Sequence, residues 1–134
     1  MYGPQGWTDR LIKYLRQLCA VDTRGNFLRF DHLQAETFLA LLEHIPAGNL
    51  DDAQNLGPPI RAFVELALQC PEAEFMGYVV GKHSDEERIS LEGCWLPIVV
   101  DAPRYTAGCV ALLAPYLPAD EDDVVDGKRR LWWH

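Results

Sequence analysis

Two stretches of the sequence decide the fold: residues 74–81 are EFMGYVVG, and residues 88–95 are RISLEGCW. The first carries aromatic and branched side chains at successive positions, which is typical of a strand buried on both faces. The second alternates between apolar and polar positions, which is typical of a half-buried strand. The polar segment 82–87 joins them, so we predict an antiparallel β-hairpin over about residues 74–96.

Apolar residues at helical spacing surround this hairpin. They predict three helices before it, over about 8–20, 31–45 and 58–70, and a fourth starting at about 101. Thr8 is the expected N-cap of the first helix, and Asp31 with Gln34 forms a capping-box pattern ahead of the second. Pro58 and Pro59 open the third. Residues 27–30 are expected to be a short extended stretch at most.

The prediction is therefore an α+β fold in which about four helices pack on a small antiparallel sheet. One domain over residues 1–134 is expected, because 134 residues suit a single core and no long linker interrupts the chain. The tail 128–134 (KRRLWWH) is either a closing strand or an arm, and residues 120–126 form an acidic loop before it.

Cysteine spacing and hydropathy indicate a cytoplasmic protein. The first 20 residues contain four charges and no apolar signal core, and the longest charge-free run, 105–119, is interrupted by two prolines. A membrane-spanning helix needs about 20 apolar residues, so no membrane span is predicted. No two of the four cysteines form a C-x-x-C pair, so we expect reduced, mostly buried thiols, although distant Cys and His residues that meet in the fold stay an open possibility.

Charge is segregated along the chain, whose formal net charge is -8. Residues 1–30 carry a net +3, residues 31–126 a net -14 and the tail +3. An acidic middle repels phosphate backbones, which argues against generic nucleic-acid binding and favours a basic partner. The first helix is an exception, since its outer face is basic, which suits solvent in the first place, or else an anionic surface or a partner.

Motifs for catalysis are weak. Cys94 lies between Gly93 and Trp95, as a nucleophile beside an aromatic would, but in a strand pattern rather than at a helix start. An enzyme would need a dispersed site built from Cys94, His83 and Arg104. Arg104 is expected to pair with Asp101, the alternative being an anion site at the start of the fourth helix.

No metal or cofactor site is predicted. The four histidines show no helical ligand spacing, and a loop site at His83 with its acidic neighbours is the weak exception. The run from Asp120 fails the calcium-loop pattern, because position 5 is Val124 and position 12 is Leu131.

A non-enzymatic binding protein of inhibitor, immunity or adaptor type is therefore the favoured hypothesis, with a basic protein as its partner. The candidate contact residues are acidic and aromatic side chains at the end of the chain: Asp120, Glu121, Asp122, Asp123, Asp126, Trp132 and Trp133. In a strand the two tryptophans would face opposite sides, and a second copy of the chain is one source of cover. A homodimer and a structural subunit that assembles through this tail are the corresponding alternatives.

Overall fold

A six-stranded antiparallel sheet and four α-helices make up the computed structural model, which describes residues 2–134. The elements in chain order are α1 (Asp9–Leu18), β1 (Ala20–Arg24), β2 (Phe27–Gln34), α2 (Ala35–Leu41), α3 (Ile60–Gln69), β3 (Glu74–Val80), β4 (Arg88–Pro97), α4 (Pro103–Ala111), β5 (Glu121–Val125) and β6 (Lys128–Trp132). The strands lie in the order β1-β2-β3-β4-β6-β5. The predicted α+β fold is confirmed.

The predicted hairpin forms the centre of the sheet. β3 pairs with β4 from Glu74 opposite Trp95 to Val80 opposite Arg88, with a bulge after Met76. β2 covers the other edge of β3, and β6 pairs with the second half of β4. The hairpin is thus enclosed on both edges, which explains why eight successive residues of β4 are buried.

All four helices contribute to one apolar core on one face of the sheet. Strand residues of that face and helix residues interlock there, and the largest fully buried side chains are Phe30, Phe38, Phe63, Phe75, Leu11, Leu15, Leu28, Leu33, Ile60, Leu66, Ile89 and Leu96. The third predicted helix is confirmed as α3, which presents Ile60, Phe63 and Leu66 to the core.

The N-terminal half contains more strand than the sequence indicated. The expected capping box is wrong: Asp31 and Gln34 lie in β2, and α2 begins only at Ala35, with no side-chain hydrogen bond from Gln34 as its cap. The expected short stretch at 27–30 is the first half of this eight-residue strand. Long-range pairing with β3 satisfies the backbone here, so local capping chemistry does not decide the structure.

The prediction of an acidic loop over residues 120–126 is also wrong, since residues 121–125 form strand β5, which pairs with β6. Of the two alternatives predicted for the tail, a strand or an arm, the structure shows the strand. It lies inside the sheet between β4 and β5 rather than at its edge. Residues 98–100 do not extend β4 and are exposed.

Asn49 closes the edge of β4 that β6 does not reach. Its buried side-chain amide donates to the Ile89 carbonyl at 2.9 Å and accepts from the Ile89 N–H at 3.0 Å. This side chain stands in for a neighbouring strand and fixes the loop before α3 against the sheet. Within residues 2–134, no helix is long and apolar enough to cross a bilayer.

Candidate functional site: the open face of the sheet

The sheet face opposite the helices carries aromatic and charged side chains in place of a second apolar layer. Alternation along the strands places on it Phe27 and Arg29 of β2, Tyr78 of β3, Glu92 and Trp95 of β4, and Arg130 and Trp132 of β6. These residues are absent from the core cluster, which contains their neighbours on each strand. We call this surface the open face.

Trp95 is the centre of the open face and is only 7% exposed. Its indole Nε1–H donates to Asp31 Oδ1 at 2.8 Å, and the ring of His32 stacks on it with 4.8 Å between ring centroids. The guanidinium of Arg130 lies 5.7 Å from the Trp95 ring centre. Polar side chains rather than a helix therefore cover this tryptophan.

Trp132 extends the aromatic surface toward the strand end. The Arg130 guanidinium lies 5.4 Å from its ring centre, and the His134 ring packs against it with 4.5 Å between ring centroids. Arg130 is itself held by Asp123 at 2.9 Å and Glu121 at 3.3 Å. The arginine is thus fixed between two indoles by carboxylates of β5.

A second arginine repeats this arrangement toward the other end of the sheet. Arg29 pairs with Glu92 at 2.6 Å, and its guanidinium lies 5.8 Å from both the Phe27 and the Tyr78 ring centres. Arg88 packs on Tyr78 at 5.6 Å. The open face consists of aromatic rings separated by arginines, each of them paired to a carboxylate.

An acidic pocket of about 380 Å³ adjoins the Tyr78 end of the open face. Its carboxylates are Asp52, Asp85, Glu86 and Glu87, against one cation, Arg88. Gln54 connects it to the face by accepting a hydrogen bond from the Tyr78 hydroxyl at 3.2 Å. Burial, followed by the charge of Asp52, raises the pKa of the Tyr2 phenol in this pocket.

The predicted contact residues at the chain end do not form one patch. Strand alternation places Glu121 and Asp123 with Arg130 on the open face, while Asp122 points to the other side and is bidentate to Arg129 at 2.8 and 2.9 Å. The hydrogen bonds from Arg129 hold the pKa of Asp122 below its usual range. Asp126 is exposed in the β5–β6 turn, and Asp120 accepts from the His134 backbone N–H at 2.7 Å.

The two tryptophans face opposite sides, as expected for a strand. Trp133 belongs to the helix side: it is 2% exposed, packs edge-on against Phe63, and its Nε1–H donates to the Tyr116 carbonyl at 2.9 Å. The domain itself therefore covers Trp133, and only Trp132 of the pair lies on the open face.

The residues proposed for a dispersed enzyme site are not brought together. Cys94 is fully buried in the core, where burial raises the pKa of its thiol far above the ordinary range. His83 lines a groove beside α1, and Arg104 lines another on α4. The expected Asp101–Arg104 ion pair is wrong, since no carboxylate within residues 2–134 lies in salt-bridge distance of Arg104.

The buried cysteines Cys70, Cys94 and Cys109 do meet in the core, but the part of the chain that the structure describes contains no group of three His, Cys, Asp or Glu side chains able to hold a metal ion. The loop site at His83, which the sequence offered only as a weak exception, is likewise not formed within those residues. Cys19 departs from the expectation of burial and is half-buried.

Sequence reasoning missed the open face because its residues come from four strands. Arg29, Tyr78 and Glu92 carried no local signal, since their contacts depend on strand order and register. The available signal was that residues 27–32 (FLRFDH) and 128–132 (KRRLW) each combine basic with aromatic residues, once both segments are taken as strands. Comparisons with protein-family models, with curated proteins and with solved structures found no match to this chain.

Proposed function

We propose that this protein is a non-enzymatic binding module that engages a basic protein partner on the open face of its sheet. The observation that carries the proposal is the combination of Trp95, Trp132 and Tyr78 with Arg29 and Arg130 on a sheet face that no helix of residues 2–134 covers. An inhibitor, immunity or adaptor protein is the class of function that such a surface supports.

The residue types support recognition of a protein. Tryptophan, tyrosine and arginine are the side chains that contribute most to binding energy at protein interfaces, because they offer large contact areas and polar groups at low entropic cost. Here the ion pairs Arg29–Glu92 and Arg130–Asp123 hold the two arginines against the rings. Such a surface is organised before binding, so its own side chains would lose little conformational entropy when a partner binds.

Charge supports a basic partner. The chain carries a net charge of -8, and the pocket beside Tyr78 contains four carboxylates and one arginine. A lysine or arginine of the partner would enter this pocket while an apolar segment packs on Trp132. Glu121 and Asp123 form the rim of the same surface, where their pairing with Arg130 weakens their attraction for a partner cation.

Two further expectations belong to this proposal. The four free cysteines support a reducing compartment, so a cytoplasmic location is part of the proposal. A second copy of the chain is the competing occupant of the open face. It would give a homodimer, or a structural subunit, whose mass in solution falls to that of a monomer when Trp132 is replaced by alanine.

The test is capture of partners from the native cell with the tagged full chain. The wild type and Leu68→Ala, an exposed apolar residue on α3, are expected to retain the same basic protein, and Trp132→Ala is expected to lose it. The purified pair is then titrated at low and moderate salt. Affinity is expected to fall at least tenfold as salt rises, because screening shortens the range of the acidic field.

Two results would overturn the proposal. One is a partner that Trp132→Ala binds as tightly as the wild type does, which would place the interface elsewhere. The other is a complex whose affinity does not change with salt, which would remove the electrostatic basis for a basic partner. The unfolding free energy of each variant is measured in parallel, so that loss of the fold is distinguished from loss of the interface.

A further inference from the structure

A basic groove lies between α1 and the turns at one end of the sheet. Its volume is about 400 Å³, and its cations are Lys13 and Arg16 of α1 and Lys82 of the β3–β4 connection, with the His83 imidazole beside them. Asp9 is the one carboxylate in its lining. The chain as a whole carries a net charge of -8, so the sign of the charge in this groove is opposite to that of the whole protein.

Two of these cations have no internal partner. Within residues 2–134, neither Lys13 nor Arg16 has a carboxylate within 4.0 Å, whereas most other arginines are paired. Lys82 is 3.6 Å from Asp9, with both side chains about half exposed, so this pair is weak. The positive charges of one groove repel each other, and an anion bound between them offsets this electrostatic repulsion.

The turn opposite α1 is held rigidly in place. Asn26 donates from its side-chain amide to the Gly81 carbonyl at 3.0 Å, and its side-chain oxygen accepts from the His83 N–H at 3.1 Å. The Gly81 N–H donates to the Asn26 carbonyl at 2.8 Å. A Cβ atom at Gly81 would lie 2.6 Å from Asn26 Oδ1 and would displace the Asn26 side chain from these hydrogen bonds. The backbone that carries Lys82 and His83 is therefore positioned before any ligand arrives.

The charge balance indicates the ligand. The three cations and Asp9 together leave a net of two positive charges in the groove. A phosphate monoester carries about 1.5 to 2 negative charges at pH 7 and accepts several hydrogen bonds, which suits both a lysine ammonium and an arginine fork. The volume is that of a pocket for a small molecule.

We propose that this groove binds the dianionic phosphate group of a small ligand, held by Lys13, Arg16 and Lys82. The groove adjoins the open face at Phe27, but Lys13, Arg16 and Lys82 do not belong to that face, so neither proposal depends on the other. The phosphate group comes either from inorganic phosphate or from an organic phosphate monoester, and the two sources differ in whether an organic body adds affinity.

The test follows backbone amide resonances of the ¹⁵N-labelled full chain during titration with inorganic phosphate, phenyl phosphate and phenyl sulfate. Saturable shifts at Lys13, Arg16 and His83 are expected with the phosphates, and binding of the monoanionic phenyl sulfate is expected to be at least tenfold weaker. Tighter binding of phenyl phosphate than of inorganic phosphate would assign the site to an organic ester, and equal binding would assign it to free phosphate.

The double variant Lys13→Gln with Arg16→Gln is expected to weaken phosphate binding at least tenfold. Arg104→Gln is the matched control, because Arg104 is another exposed cation without an ion pair but lines a different groove. Unsaturable shifts, equal binding of phenyl sulfate, or the same loss of affinity in Arg104→Gln would overturn the proposal. Retained dispersion of the spectrum shows that each variant is folded.

Discussion

A single carboxylate, that of Glu87, joins the N-terminal segment to the β3–β4 hairpin. Glu87 is 2% exposed and accepts three hydrogen bonds, from Gly6 N at 3.0 Å, Thr8 N at 3.1 Å and Thr8 Oγ1 at 2.6 Å. It lies at the start of α1, where the helix dipole favours a negative charge. Thr8 does not cap its own helix as the sequence indicated, because its hydroxyl donates to Glu87 instead.

Replacing Glu87 by glutamine is expected to destabilise the fold by about 1–3 kcal/mol. The amide keeps the size of the side chain but loses the charge and turns one acceptor into a donor that faces other donors. Urea unfolding measures the change. Glu86→Gln is the control, since the Glu86 side chain is 80% exposed, and it is expected to change stability by less than about 0.5 kcal/mol. Equal stability of the two variants would contradict the assigned role of Glu87.

At the scale of elements, Gly77 shows how tightly β3 and β4 approach each other at the bulge. A Cβ atom there would lie 2.0 Å from the Ser90 carbonyl oxygen and 3.0 Å from Leu91 Cα. Both contacts are with backbone, which cannot move away without breaking the ladder between the strands. The glycine that weakens the strand pattern locally is therefore what permits the pairing.

Gly77→Ala is expected to cost about 3 kcal/mol of stability, because the added methyl group forces the central strands apart. Gly108→Ala provides the matched comparison within α4. A Cβ at Gly108 meets no atom within 4 Å, and alanine in a helix is favoured over glycine by about 0.5–1 kcal/mol. Thermal unfolding of both variants is expected to give shifts of opposite sign, and a stabilised Gly77→Ala variant would refute the close contact.

At the scale of the whole molecule, strand pairing neutralises much of the charge that is segregated in the sequence. The acidic run of β5 is adjacent to the basic residues of β6, so Asp122 meets Arg129 and Asp123 meets Arg130. The excess negative charge that is left lies elsewhere, including the pocket at Asp52 and Asp85. Sequence segments of opposite sign thus pair across the β5–β6 edge of the sheet rather than forming separate surfaces.

The core is also tested as a whole by its thiols, since Cys70 at the C-cap of α3, Cys94 of β4 and Cys109 of α4 belong to one cluster. Native protein treated with iodoacetamide is expected to react first at Cys19, the half-buried thiol, with the three core thiols reacting only when urea unfolds the chain. Mass spectrometry of the alkylated protein measures the order. Native labelling of Cys94 as fast as that of Cys19 would contradict a single closed core.

The pH dependence of this reaction has a definite direction. Burial, followed by the charge of Asp31, raises the pKa of the Cys19 thiol to about 11. At pH 8 only about 0.1% of Cys19 is therefore thiolate, the form that reacts with iodoacetamide. The rate of alkylation at Cys19 is expected to rise about tenfold per pH unit until the pH approaches 11. In the unfolded chain thiols ionise near 8.5. The folded state therefore binds the Cys19 thiol proton more tightly than the unfolded chain does. The free energy of unfolding is expected to fall as pH rises from about 8.5 toward 11.

The sequence alone determined what depends on local pattern: the β3–β4 hairpin, the apolar stripe of α3, the opposite orientation of Trp132 and Trp133, and the overall excess of negative charge. These follow from side-chain periodicity and composition, which act within a few residues. Only the tertiary structure decided that Asp31 belongs to a strand, that β6 lies inside the sheet, and that Arg29, Trp95 and Arg130 share one face. Strand order and register set those contacts, and the free energy that selects them comes from pairing and burial between residues far apart in the chain.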